Sequence, residues 1–172
     1  FEPYLFMGGR SVRDYRTLVA AFQQSHMPAI VNARPFNVRG LKIPQTVRLN
    51  DLLPADAYRI LHWGARFGVI PLQDVDEAGG LTAVLYAMAA GKAVIVSRVS
   101  GVEDYVQEGE TGLLVPPGDV AAMRMAIEQL WTDSATCERM GKQARARFLA
   151  EHTFSAFARR VAGVIDMIRV GQ

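Results

Sequence analysis

Two hydrophobic periods alternate along the chain: short apolar runs that end in glycine or proline, and stretches with helical spacing that follow them. Tyr4-Leu5-Phe6-Met7 is such a run, closed by Gly8-Gly9, and it reads as a buried strand entering a tight turn. Tyr15, Leu18, Val19 and Phe22 then recur at helical spacing until His26-Met27-Pro28 breaks the pattern, and Ala29-Ile30-Val31 is a second strand. Strand, helix and strand in this order form the unit from which parallel sheets are built.

The stretch 32–44 carries Arg34, Pro35, Arg39, Gly40 and Pro44 and is expected to be a surface loop holding at most a poorly formed element. Val47-Arg48-Leu49 predicts a third strand. A helix follows Leu52-Leu53-Pro54-Ala55-Asp56, with Tyr58, Leu61 and Trp63 on its apolar face, and Phe67 to Leu72 is a fourth strand. Leu81 to Ala90 is rich in good helix formers, opened by Gly79-Gly80 and closed by Gly91. Ala93-Val94-Ile95-Val96 is a fifth strand, Val102 to Glu108 a short helix, and Gly112 to Pro116 a sixth strand. Asp119 is a good N-cap for a helix carrying Met123, Ala126, Ile127 and Leu130, and two more helices span about Ser134 to Ala150 and Thr153 to Val170. The expected fold is a single α/β domain over residues 1–172. It is a Rossmann-like, doubly wound parallel sheet of about six strands, with helices on both faces and C-terminal helices appended.

Composition narrows this picture without changing it. With 172 residues, half of them hydrophobic and 21% charged, the chain fits a globular domain that needs no disulfide. No apolar run approaches the roughly 20 residues of a spanning helix. The opening Phe1-Glu2-Pro3-Tyr4, with neither methionine nor a basic leader, is expected to start inside a longer protein. A net charge of +2 is too small for the broad basic field of a nucleic-acid binder. Cys137, the only cysteine, is expected as a half-buried helix residue in a reducing compartment, the cytoplasm. His26, His62 and His152 have no partners at metal-ligand spacing and read as helix-end or surface residues, so no metal is expected. Lys142, Arg145, Arg147, Arg159 and Arg160 read first as a solvated helix face, and second as a patch able to attract an anionic membrane.

Chemistry concentrates at two glycine turns. Gly8-Gly9-Arg10 lets backbone approach a ligand while Arg10 and Arg13 supply positive charge, as phosphate binding requires. Gly79-Gly80 precedes a helix whose free N–H groups and dipole favour an anion. Singly, Gly8-Gly9-Arg10 reads equally well as a plain tight turn; together, the two turns suit the two sides of a diphosphate. Gly8-Gly9-Arg10-Ser11-Val12-Arg13 is not the Gly-x-Gly-x-x-Gly of a dinucleotide oxidoreductase. Neither a Gly-x-x-x-x-Gly-Lys-Ser/Thr loop nor a Gly-x-Ser-x-Gly elbow occurs, and no cofactor is expected.

The motif order resembles the C-terminal domain of GT-B-fold retaining glycosyltransferases of the group 1 type. The resemblance runs from Gly8-Gly9-Arg10 with Arg13-Asp14-Tyr15, through Ala78 to Lys92, to Ser100-Gly101-Val102-Glu103-Asp104-Tyr105-Val106. It continues through Glu108-Gly109-Glu110-Thr111-Gly112-Leu113-Leu114-Val115-Pro116-Pro117-Gly118-Asp119, and covers nearly the whole chain. It implies binding of a UDP- or GDP-linked sugar here, with the acceptor held by an N-terminal domain of the same enzyme and the isolated domain inactive. On the matching positions it implies that Arg10 and Arg13 neutralise the diphosphate, that Gly79, Gly80, Leu81 and Thr82 contact phosphate and sugar, and that Leu52 lies beside the base. The family places two glutamates around this helix start, one near the donor sugar and one on the ribose hydroxyls. Here Glu77 sits one place early for the first, and Tyr86 occupies the second. A phenol cannot offer a ribose diol two carboxylate oxygens. Ala93 also replaces the usual proline. Two expectations follow: a donor-binding half of a hexosyltransferase, or a degenerate, non-catalytic module kept for assembly or regulation, with Tyr86 as the residue that divides them.

Overall fold

The structure is a computed structural model and describes all residues except 1, 10, 24, 52, 76–78, 171 and 172. Six strands, β1 (Leu5–Met7), β2 (Ala29–Asn32), β3 (Val47–Asn50), β4 (Gly68–Ile70), β5 (Val94–Ser97) and β6 (Gly112–Val115), make one parallel sheet. Their spatial order is β3-β2-β1-β4-β5-β6. Six helices connect and cover them: α1 (Tyr15–Ala21), α2 (Ala55–Gly64), α3 (Leu81–Ala89), α4 (Val120–Thr132), α5 (Ser134–Glu151) and α6 (Phe154–Val170). The doubly wound α/β sheet expected from the sequence is the sheet observed.

The central strands are short and buried on both faces, as parallel strands covered by helices must be. On one face Leu5, Met7, Val31 and Ile95 pack with Tyr15 and Leu18 of α1, with Phe22 at its C-cap, and with Met123, Ile127 and Leu130 of α4. On the other, Ile70, Val94 and Val96 pack with Val84, Ala87 and Met88 of α3. Asp14 caps α1 by accepting from the Thr17 N–H at 3.0 Å, and Asp119 caps α4 by accepting from the Ala122 N–H at 2.9 Å. A 3-10 turn, Pro35–Val38, is the one-turn element within the proline-bearing loop.

Three expectations are corrected. The expected helix from Val102 to Glu108 is instead turns through Tyr105, followed by a bridge at Glu108: Gly101 holds a left-handed φ of +82°, buried Val102 and Val106 pin the segment, and the Gln107 N–H donates to Thr111 Oγ1 at 2.9 Å. Trp63 is 63% exposed, because the side of α2 that turns inward carries His62 instead. His62 is therefore buried in the last turn of α2, which agrees with the helix-end reading and not with the surface one. Cys137 is also buried, with its thiol directed at the Arg66 carbonyl 3.7 Å away across the α5 interface.

The outer face of α6 is exposed. Phe154, Phe157, Val161, Val164, Ile165 and Ile168 are all exposed along one stripe, while Ala156 at the start of the helix is buried against the body. Among the described residues no helix is long and apolar enough to cross a membrane.

Candidate functional site

The sheet order dictates where a ligand can enter. β1 and β4 are neighbours, yet β1 leads through α1 to β2 on one side and β4 leads through α3 to β5 on the other. The two helices lie in different apolar cores, so a crevice opens at the carboxyl ends of β1 and β4. A cleft of about 500 Å³ occupies this place. Gly9, Ser11 and Arg13 wall it from the end of β1, and Gly79, Gly80 and Thr82 wall it from the start of α3. Asn32, Leu53 and Tyr58 also line it.

The two glycine turns touch. A β-carbon on Gly79 would collide with the Val12 side chain, so only glycine lets the segments come this close. Gly80 is the N-cap of α3 with φ +82°, and a β-carbon there would lie 2.7 Å from Leu72 Cδ2 and 3.2 Å from Arg13 Nη1. Val12 itself takes φ +50°, unusual for a β-branched residue, and its carbonyl accepts the Gln73 N–H at 2.9 Å. Thus the β1 turn is laced to the segment that follows β4.

Arg13 fills the junction and is 6% exposed. Its Nε and Nη2 donate to the Gly8 carbonyl at 3.2 and 3.1 Å, and its Nη1 donates to the Ser11 carbonyl at 3.0 Å. No carboxylate among the described residues pairs with it. Burial pulls its pKa below the usual arginine range, opposed by Tyr58 and Tyr15. At the start of α3 the Ala83 N–H donates to the Gly80 carbonyl at 2.9 Å, the Leu81 and Thr82 N–H groups have no intrahelical partner, and Gly80 provides no side-chain cap. A buried cation and a bare helix N-terminus converge on one cleft, which is the electrostatic arrangement that holds an anion. No group of three or more metal-ligating side chains occurs among the described residues.

Of the residues named from sequence, the structure brings Arg13, Gly79, Gly80 and Thr82 to one cleft. Leu81 and Tyr86 are not in its wall, and Arg10, Leu52 and Glu77 lie outside the described residues. Tyr86 instead stacks on His62, with ring centroids 5.8 Å apart, and meets Tyr58 edge-on at 5.2 Å. Burial pushes His62 down to about 4, and its Nε2 has no hydrogen-bond partner. Sequence reasoning missed Tyr58, Ser11, Asn32 and Leu53 as lining residues. Tyr58 falls in the helical apolar pattern, which does not separate a core-facing ring from one that faces a cleft.

The family model described as glycosyl transferases group 1 matches residues 51–147, more than half of the chain. The chain belongs to the glycosyl transferases group 1 family. It is 33% identical over 126 residues to the D-inositol 3-phosphate glycosyltransferase of Corynebacterium diphtheriae, covering 73% of this chain and 29% of that protein. Among solved structures, the sucrose-phosphate synthase of Thermosynechococcus elongatus superposes with a TM-score of 0.82 at 27% identity, over 99% of this chain and 46% of that one. Anabaena Alr3699/HepE in complex with UDP-glucose superposes with a TM-score of 0.77 at 16% identity, over 96% of this chain and 49% of that one. This group 1 glycosyltransferase chain therefore spans less than half the length of each of these three proteins.

Proposed function

We propose that this chain is the C-terminal, nucleotide-sugar-binding domain of a retaining glycosyltransferase, which transfers a hexose from a UDP- or GDP-linked donor. The observation that carries the reading is Arg13: a buried guanidinium with no carboxylate partner among the described residues, set between two glycine turns at the sheet's switch point. A buried cation whose described partners are neutral carbonyls is costly, and a diphosphate in the cleft offsets that cost. Arg13 and the N–H groups at the start of α3 would neutralise charge on the departing nucleoside diphosphate, which is this domain's share of the catalysis. Arg10 and Glu77 are proposed to join them from the two turns, and Leu52 to lie beside the base. The UDP-glucose held by the Anabaena structure supports a nucleotide sugar as the ligand class.

The acceptor is assigned to an N-terminal domain of the same enzyme. The share of each relative that this chain matches supports a second domain, and the bare apolar stripe of α6 offers it a contact surface. The isolated domain is accordingly expected to bind a donor without transferring it. A peripheral membrane contact of the whole enzyme, through the basic residues of α5 and α6, belongs to the same reading, as does a cytoplasmic setting. A non-catalytic module is favoured by one observation alone, the tyrosine at position 86. Calorimetry with UDP and with GDP decides between them. Weak binding of one nucleotide, reduced in Arg13→Ala by the order of 1.5–3 kcal/mol of a lost charged hydrogen bond, is the expected result. A folded domain that binds neither contradicts the donor-site reading.

A further inference from the structure

We propose that the Tyr58 hydroxyl is a hydrogen-bond donor to the anion in this cleft, and that Tyr86 is a positioning residue that holds the Tyr58 ring. The proposal rests on the donor-site reading above. Tyr58 comes from α2, outside both glycine turns, and lines the cleft with Gly9, Arg13 and Gly80. Its hydroxyl lies where a β-carbon of Gly8 would be, while Arg13 donates to the Gly8 carbonyl. Phenol and guanidinium therefore flank one peptide unit at the end of β1. Among the described residues the phenol oxygen has no hydrogen-bond partner.

The ring is held on three sides. Phe6, His62 and Tyr86 meet it edge-on, with centroids at 5.5, 4.8 and 5.2 Å. Tyr86 in turn stacks on His62 at an interplanar angle of 16°. Edge-to-face pairs of this kind each add stabilisation beyond the area they bury, so Tyr58 cannot swing away without losing several contacts. A hydroxyl fixed in this way binds without paying the entropy of being ordered. Burial pushes Tyr58 up to about 12, with Arg13 opposing, so the hydroxyl keeps its proton throughout the working range of pH. The position that resembles the family's second glutamate thus acts one layer below the cleft, through Tyr58.

The test is calorimetric titration of UDP and of GDP into the wild-type chain, Tyr58→Phe, Tyr86→Leu and the double variant, with the melting temperature of each. Tyr58→Phe keeps the ring and its three contacts, so its melting temperature is expected to stay near wild type while affinity for the nucleotide that binds falls about tenfold. Tyr86→Leu is expected to weaken that nucleotide as well, and the double variant to bind no more weakly than Tyr58→Phe, because the two residues act through one group. Additive losses in the double variant overturn the positioning role of Tyr86. Wild-type affinity in Tyr58→Phe overturns the donor role and leaves the donor site standing. If the folded wild type binds neither UDP nor GDP, the donor-site reading falls and the proposal falls with it. Should Tyr86→Leu fail to fold, the comparison of Tyr58→Phe with wild type still decides the central point.

Discussion

The Arg13 guanidinium donates three hydrogen bonds to two carbonyl oxygens and is 6% exposed. That geometry is a planar fork, and a lysine cannot reproduce it. Arg13→Lys is therefore expected to lose nucleoside diphosphate affinity nearly as fully as Arg13→Ala does, and fluorescence or calorimetric titration checks this. His62 supplies a pH test. Its pKa is held at about 4 in the folded chain, against about 6.5 when unfolded. Between these values the unfolded chain binds more protons, so stability falls as pH falls through that window. The expected loss between pH 7 and pH 4.5 is about 2–3 kcal/mol. Denaturant unfolding of His62→Leu at both pH values should show a smaller loss than wild type; an equal loss would assign the acid sensitivity elsewhere. Sequence made Arg13 legible because a cation next to a glycine turn has a stated use. It could not do so for His62 and Tyr58, whose environments depend on which helix faces meet.

Element by element, α3 shows what a glycine pair does. Gly80 adopts φ +82° and leaves its Cβ position 2.7 Å from Leu72, so Gly80→Ala meets both backbone strain and crowding. The expected destabilisation is about 1–3 kcal/mol, measured by denaturant titration. Destabilisation below a few tenths of a kcal/mol would mean that the turn relaxes without penalty. The strands and α3 to α6 were legible because their periodicity and end signals agree: Gly79-Gly80 before α3, Gly91 after it, and Asp119 before α4. Val102 to Val106 misled for a physical reason. Its apolar spacing fits a helical turn, yet the segment is anchored through Gln107 and Thr111 at the start of β6 and stays a series of turns. On α2 the apolar pattern named Trp63, whereas the inward side is set by packing on Phe6, which takes His62 at 4.7 Å.

For the whole molecule, the reversal of strand order between β1 and β4 explains why two turns some seventy residues apart in sequence share one cleft. The sequence predicted the sheet and both turns; their meeting depends on long-range order that no local pattern encodes. The stripe residues of α6 are exposed, so Phe157→Ser with Val164→Ser should leave the unfolding free energy within about 0.5 kcal/mol of wild type. Sedimentation should at the same time show less self-association, because less apolar surface is exposed. A large loss of stability would mean that the stripe packs onto this domain. The proposed donor site requires that the Gly8-Gly9 and Gly79-Gly80 turns and Arg13 hold a nucleoside diphosphate between them. Amide NMR during a UDP titration, repeated with GDP, tests it most directly. Shifts are expected at Gly9, Ser11, Gly80, Leu81 and Thr82, with none on α6. Shifts confined to the opposite end of the sheet, or a titration of each nucleotide that leaves those five amides unmoved, would contradict it.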